Sequence, residues 1–230
     1  MITAGQWAAR ELAYEFSDPS LLEHALTHRS AAAKHNERLE FLGDAVLQLI
    51  ITDAIYKLKP DTDEGGLSRL RSSLVRKGTL AEIGTELKVA EVLMLGSGEK
   101  RTGGHQRSSI LADTVEAVIG AVYLDGAYAA AETVVLKLFE SRLSSLPDEA
   151  ALKDPKTRLQ EHLQASGGLP PEYEVLDVAG KSHAQTFTIV CRVPEMNLAV
   201  QGIGSSRRKA EQQAAEQILQ GLGSAADHKE

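Results

Sequence analysis

The chain has 230 residues, of which 43% are hydrophobic and 25% are charged, and its formal net charge is −7. This length allows one or two domains, and the composition is ordinary for a globular protein. No apolar stretch approaches the roughly 18 residues of a membrane-spanning helix, so no membrane span is expected. The negative net charge argues mildly against a nucleic-acid partner unless positive charge is concentrated locally.

The single cysteine, Cys191, cannot form an internal disulfide, which fits a reducing compartment. Residues 1–25 lack the basic start and the apolar run of a secretory signal. We therefore expect a cytoplasmic protein.

Residues 1–146 are predicted to form an all-helical domain. Their apolar residues recur with the period of an α-helix in five segments, which span residues 21–28, 38–58, 67–89, 110–126 and 128–143. Pro60 follows the second segment and Gly126 ends the fourth, as expected for helix ends. The glycine-rich polar segment between Val92 and Ser109 is predicted to be a loop.

Residues 147–153 are predicted to be a linker, after which the pattern changes. A short helix, three strand-like segments and a final helix follow, at residues 155–168, 172–180, 184–193, 197–204 and 205–222. This α-β-β-β-α order predicts a small α+β domain over residues 154–223 and a frayed tail at 224–230. The predicted fold is therefore multidomain.

Three carboxylates share one face of the helix predicted in the segment NERLEFLGDAVLQLI at 36–50. Glu37, Glu40 and Asp44 are spaced i, i+3 and i+7, which places them close together. The opposite side is apolar and predicts a buried face formed by Leu39, Leu42, Val46, Leu49 and Ile50. Like charges at this spacing destabilise a helix by a few tenths of a kcal/mol per pair. A solvated acidic face is the common explanation, and this helix alone favours it.

Asp113 and Glu116 interrupt a helix that is apolar on nearly all sides and is therefore expected to be buried. Buried carboxylates are costly without a compensating positive charge, and no Lys or Arg occurs between residues 110 and 126. Their negative charge could be compensated by a divalent cation, by a helix N-terminus or by a distant Arg. If Glu40 and Asp44 face this pair, the four acids form a site for a hard cation such as Mg²⁺. Such sites suit phosphoryl chemistry, and the lack of His and Cys disfavours zinc.

The segment NERLEFLGDAVL at 36–47 resembles the signature helix of the ribonuclease III family. LTHRS at 26–30, DEGGLSRLRSSLV at 63–75 and SILADTVEAVIGAVYLDG at 109–126 extend this resemblance. Residues 202–215 resemble part of a double-stranded-RNA-binding domain. The resemblance implies an all-helical endonuclease domain, a short linker and an α-β-β-β-α domain that binds double-stranded RNA.

The resemblance also implies the site residues. The family's metal-binding acids match Glu40, Asp44, Asp113 and Glu116. Glu37 and Glu64 match two further acids of the catalytic valley, although Glu64 could equally be a charge favoured at a helix N-terminus. The implied reaction uses a water activated by Mg²⁺, with Mn²⁺ as a substitute, and leaves 5′-phosphate and 3′-hydroxyl ends. The implied substrates are structured RNAs such as rRNA and mRNA precursors, and no organic cofactor is expected.

The final helix opens with a basic cluster, Arg207, Arg208 and Lys209, which Ser205 and Ser206 can cap. Alone, such a cluster is more often a solvated patch. Within the α-β-β-β-α frame it predicts a clamp for the phosphates of A-form RNA. The resemblance implies minor-groove contacts by Thr157, Gln160, Glu161 and His183.

Phe41 and Leu47 lie at the two edges of the acidic face, where each could be either the edge of the core or a surface for a partner. One carboxylate cluster most naturally cuts one strand, so cutting a duplex needs two clusters related by a two-fold axis. The resemblance implies such a homodimer, and we expect Phe41 at its interface.

Two other functions are weighed against a nuclease. One is a double-stranded-RNA-binding regulator that does not cut, and the other is a structural, ribosome-associated protein. The six acids argue against both, because a protein without the chemistry has no need to hold a repulsive cluster.

Overall fold

A computed structural model of the chain describes residues 2–147, 153–181 and 184–226. The predicted linker and tail lie mostly outside these residues, and His183 lies outside them entirely. The chain divides into two compact units, Met1–Pro147 and Asp148–Glu230.

The first unit is helical, as predicted. Its helices are α1 (Ala4–Glu11), α2 (Pro19–Ala25), α3 (Glu37–Leu58), α4 (Glu64–Val75), α5 (Lys77–Glu86), α6 (Ser97–Arg101) and α7 (Ser108–Ser144), with short 3-10 helices at Val89–Glu91 and Gly104–Gln106. In the parts of the chain that the structure describes, no helix combines the length and the apolar character needed to cross a membrane.

Helix α1 lies in a segment for which the sequence analysis predicted no element. A capping box starts it: the hydroxyl of Thr3 accepts from the backbone N–H of Gln6 at 3.2 Å, and the Gln6 side chain accepts from the N–H of Thr3 at 3.0 Å. Trp7 is fully buried and its indole N–H donates to the carbonyl of Leu87 at 2.7 Å. The helix therefore closes one side of the core.

The helix predicted across residues 67–89 is two helices. Arg76 separates α4 from α5 with an extended backbone, φ −66° and ψ 151°. The apolar period continues through the break, so it gave no sign of the turn that allows α5 to pack along α7. By contrast, the predicted end at Gly126 is confirmed, because α7 loses helical geometry there and Ala127 has φ 57°.

The glycine-rich segment predicted as a loop contains α6 and a 3-10 helix, and backbone pairing ties its start to the LTHRS motif. The N–H of Met94 donates to Leu26 at 2.8 Å, and the N–H of His28 donates to Met94 at 3.0 Å. The hydroxyl of Ser30 accepts from the N–H of Gly96 at 3.0 Å. LTHRS thus fixes the strand-like start of this segment beside α3.

Two glycines bring α3 and α7 close together. A Cβ on Gly43 would lie 1.8 Å from the carbonyl oxygen of Glu116, and one on Gly120 would lie 2.3 Å from that of Leu39. This contact displaces the buried face of α3 from its predicted position. Leu47 is fully buried, whereas Leu49, predicted to face the core, is 57% exposed.

The second unit has the predicted α-β-β-β-α order: α8 (Pro155–Ala165), β1 (Glu172–Ala179), β2 (Thr186–Val193), β3 (Leu198–Gly204) and α9 (Arg207–Ala226). The strands form an antiparallel sheet in the order β1-β2-β3. Its core contains Leu159, Leu163, Cys191, Val193, Ala214, Ala215 and Ile218. Helix α9 continues to Ala226, so the first residues of the predicted tail are helical.

Candidate functional site

A cavity of about 660 Å³ opens in the first unit between α3 and α7. Five of the six predicted acids line it, namely Glu37, Glu40, Asp44, Asp113 and Glu116. The sequence spacing explains this grouping, because the first three lie on one face of α3 and the last two lie on one face of α7. The glycine contact between the helices then brings these faces to the same opening.

Three of these acids form a tighter cluster. Ligand oxygens of Glu40, Asp113 and Glu116 lie within 4.8 Å of one another, so one cation could contact all three. Asp44 lines the same cavity but lies outside this three-acid group, and its carboxylate accepts from the side-chain amide of Gln48 at 3.3 Å. We call Glu40, Asp113 and Glu116 the three-acid cluster.

Burial and mutual repulsion disfavour ionisation in the cluster. Glu116 is only 8% exposed, and burial, followed by the charges of Asp44, Glu40 and Asp113, raises its pKa to about 7. Burial, followed by the charge of Asp113, also raises the pKa of Glu40. A cation held between these carboxylates would oppose this effect, because a nearby positive charge favours their ionised form.

The fold supplies a cation that the sequence analysis missed. The ammonium of Lys77, at the start of α5, lies 3.2 Å from Oδ1 of Asp113. The two residues are separated by 36 positions along the chain, so spacing could not reveal the pair. A distant Lys, rather than the Arg considered from sequence, therefore compensates part of the cluster's charge.

The two remaining predicted acids differ in position. Glu37 lines the cavity, where its carboxylate lies 3.2 Å from the guanidinium of Arg29. Glu64 lies outside this cavity, as the first residue of α4, and it accepts from the hydroxyl of Ser68 at 2.9 Å. The structure therefore does not bring Glu64 to the other five acids within one chain.

The lining of the cavity also contains three residues to which the sequence analysis assigned no role. Glu99 and Arg107 pair across the glycine-rich segment at 2.8 Å. His28 comes from the LTHRS motif, and burial is the main cause that lowers its pKa. The motif was a usable signal for His28, whereas the Glu99–Arg107 pair depends on how the glycine-rich segment folds.

In the second unit, three of the predicted RNA-binding residues share one cavity. Thr157 and Gln160 of α8 and Arg208 of α9 line a space of about 590 Å³. Glu161 instead binds the ammonium of Lys153 at 2.8 Å. The packing of α8 against α9 thus brings together residues that are about 50 positions apart in sequence.

The start of α9 is capped and partly neutralised. The backbone N–H of Lys209 donates to the hydroxyl of Ser206 at 3.3 Å, and Ser205 precedes it on the surface. Arg207 pairs with Glu211 at 2.9 Å, and Glu211 also accepts from Lys156 at 2.5 Å. Of the three basic side chains, Arg208 is the one that lines the cavity.

Phe41 projects from α3 with 82% of its surface exposed, so it is not part of the core of this chain. It also borders a second cavity of about 690 Å³, which it shares with apolar side chains of Leu21, Leu39, Leu42 and Leu124. An aromatic ring exposed beside an apolar cavity is typical of a surface that binds a partner.

Comparisons with known proteins agree with both units. A family model described as Ribonuclease-III-like matches residues 18–143, and one described as double-stranded RNA binding motif matches residues 155–222. A protein named Ribonuclease 3 from Alkalilimnicola ehrlichii is 56% identical over 211 residues, covering 92% of each chain. Its namesake from Mannheimia succiniciproducens is 53% identical, covering 93% of this chain and 95% of the relative.

A solved structure also resembles the first unit. The nuclease domain of ribonuclease III from Campylobacter jejuni aligns with a TM-score of 0.58 and 40% identity, covering 59% of this chain and 96% of that one. These matches agree with the helical fold and the acidic cavity of the first unit and with the α-β-β-β-α fold of the second. The chain belongs to the ribonuclease III family of endoribonucleases specific for double-stranded RNA.

Proposed function

We propose that this chain hydrolyses double-stranded RNA at a divalent-metal site formed by Glu40, Asp44, Asp113 and Glu116. The observation that carries the proposal is the three-acid cluster, whose oxygens lie within 4.8 Å of one another around the buried Glu116. Carboxylates packed so closely repel one another unless a cation or a proton lies between them. A hard cation such as Mg²⁺, or Mn²⁺ as a substitute, fits this all-oxygen set.

Each acid has a part in the proposed chemistry. Glu40, Asp113 and Glu116 would hold the cation, and Asp44 would add negative charge from the same cavity. A bound divalent cation supplies an activated water and stabilises charge on the phosphodiester oxygens. Hydrolysis that breaks the bond between phosphorus and the 3′ oxygen would leave 5′-phosphate and 3′-hydroxyl ends. Glu37 and Glu64 are proposed as further catalytic acids on the resemblance.

We propose that the second unit holds the duplex through Thr157, Gln160, Glu161 and His183, together with Ser205, Ser206, Arg207, Arg208 and Lys209. The cavity that Arg208 shares with α8 supports this proposal, because it combines a cation with polar side chains. A-form RNA offers 2′-hydroxyls and phosphates, rather than base edges, to such a surface.

We propose further that two copies form a homodimer through a surface that includes Phe41. The exposed ring and the adjacent apolar cavity support this. The similar nuclease domain from Campylobacter jejuni has a region that is involved in dimer formation, which lends further support. We propose rRNA and mRNA precursors as substrates and the cytoplasm as the compartment, where the free thiol of Cys191 would stay reduced.

The first test is cleavage of a long double-stranded RNA by the purified chain, with Mg²⁺ and with EDTA, beside Glu116→Gln. Glu140→Gln is the matched control, because it makes the same change at an exposed position of α7. We expect short duplex products only with Mg²⁺, lost in Glu116→Gln and kept in Glu140→Gln, while all three proteins bind RNA. Binding without cutting in every metal condition would instead indicate a regulator that does not cut.

A further inference from the structure

Lys77 carries a positive charge to the mouth of the acidic cavity. Its ammonium lies 3.2 Å from Oδ1 of Asp113, and its side chain is 71% exposed. The pair is therefore in contact with solvent, and water can replace either partner at low cost. The contact can therefore be exchanged for another partner.

The backbone at Lys77 is held firmly, while its side chain is not. The hydroxyl of the buried Thr79 donates to the carbonyl of Ser73 at 3.0 Å and accepts from the guanidinium of Arg76 at 3.3 Å. These bonds close the turn between α4 and α5 without using the Lys77 side chain. The ammonium can therefore leave Asp113 while the turn keeps its conformation.

The charge of Lys77 acts on the whole cluster. Burial raises the pKa values of Glu40 and Glu116, and the positive charge of Lys77 opposes this change at both residues. The hydrogen bond to Asp113 in turn raises the pKa of Lys77, so the ammonium stays charged. The acids consequently have a counter-charge of their own before any metal arrives.

We infer that Lys77 is a built-in counter-cation that competes with the divalent metal for Asp113. In the metal-free protein it relieves repulsion within the three-acid cluster. When a divalent cation contacts Asp113, the ammonium must give up its bond or share the carboxylate at the cost of repulsion with the metal. Lys77 therefore stabilises the metal-free fold and weakens metal binding, and this inference rests on the proposed metal site.

The test measures binding of Mn²⁺ alone, and separately of Mg²⁺ alone, to the full chain by calorimetry after treatment with EDTA. We expect Lys77→Met to lower the Kd for the metal by about three- to fivefold, as the loss of one partly solvated ion pair allows. Lys77→Arg, which keeps the charge, should stay close to the unchanged protein. Lys34→Met, at an exposed lysine that does not line the cavity, is the matched control.

A second readout separates competition from a general loss of stability. In EDTA, Lys77→Met should melt at a lower temperature than the unchanged protein, because the acids lose their counter-charge. At saturating Mn²⁺ the difference should vanish or reverse, since the variant binds the metal more tightly. A side chain with only a structural role would lower both melting temperatures alike.

The outcomes distinguish the inference from the proposed function. If the unchanged chain binds Mn²⁺ and Glu116→Gln does not, the result supports the proposed metal site. Equal or weaker Mn²⁺ binding by Lys77→Met would then overturn the role of Lys77 alone. If the unchanged chain and Glu116→Gln both fail to bind Mn²⁺ and Mg²⁺, the proposed metal site fails, and the inference fails with it.

Discussion

Glu116 is only 8% exposed, and the charges of Asp44, Glu40 and Asp113 act on its carboxyl group. Burial, followed by the neighbouring charges, raises its pKa from an ordinary 4.5 to about 7. In water the same group would ionise far more readily. Its ionisation at neutral pH therefore destabilises the folded protein unless a cation compensates the negative charge. Protonation of this one residue is therefore coupled to folding.

We predict that the metal-free protein loses stability as pH rises from about 4.5 through about 7. The folded protein holds the proton of Glu116 more tightly than the unfolded chain does. The resulting stabilisation is complete below the unfolded pKa and is lost as pH passes the folded one. The contribution is on the order of 3 kcal/mol. Urea unfolding in EDTA over this pH range measures it.

Glu116→Gln should remove this contribution, because the amide does not titrate. The informative quantity is the difference between the two proteins at each pH, since groups outside the acidic cavity titrate equally in both. Glu140→Gln should follow the unchanged protein. A pH profile that is identical with and without the Glu116 carboxyl would contradict the prediction.

The contact between α3 and α7 depends on two glycines that sit beside the acids. Gly43 precedes Asp44, and Gly120 lies one turn beyond Glu116. Because neither has a side chain, the two backbones approach to within contact distance and bring the acidic faces of both helices to one cavity. The glycines thus determine the spacing of the carboxylates.

Gly43→Ala should destabilise the protein by about 3 kcal/mol or more, because the new Cβ would lie 1.8 Å from the Glu116 carbonyl and force the helices apart. Chemical denaturation measures this loss, and Mn²⁺ titration should show weaker binding. Gly5→Ala, in α1, is the matched control, because its Cβ would meet nothing within 4 Å. If Gly43→Ala and Gly5→Ala changed stability equally, the close contact between α3 and α7 would not be what makes Gly43 necessary.

The sequence predicted the elements better than it predicted how they pack. Helical period, Pro60 and Gly126 located most of the helices, because those signals are local. The break at Arg76 and the exposure of Leu49 depend on contacts with α7, which have no local signature. Five of the six acids named from the sequence line one cavity. The sequence could not place Lys77, since only the fold brings α5 to Asp113.

Helix α9 presents Arg208 to a polar cavity, whereas Arg192 lies on β2 in an exposed ion pair with Glu174. Arg208→Ala should weaken binding of double-stranded RNA in EDTA, and should reduce by about one the slope of log affinity against log salt concentration. Filter binding over a salt series measures both quantities. Arg192→Ala is the control, and a salt slope unaffected by Arg208→Ala would contradict a phosphate contact.

At the scale of the whole molecule, binding and cutting belong to different units. The second unit carries the proposed duplex-binding surface, and the first carries one acidic cavity. The two strands of a duplex run in opposite directions. A two-fold axis likewise places two copies of one site in opposite orientations, so that each can face one strand. A homodimer would therefore present one cavity to each strand.

Phe41→Ala should weaken this dimer by about tenfold or more, because an exposed aromatic ring at an interface contributes heavily when a partner buries it. Sedimentation velocity over a concentration series measures the change. Leu169→Ala, which removes an exposed apolar side chain from the second unit, should leave the profile unchanged. Below the dissociation constant, the Phe41 variant should produce nicked duplexes rather than double-strand cuts. A dimer as tight as that of the unchanged chain would remove Phe41 from the interface.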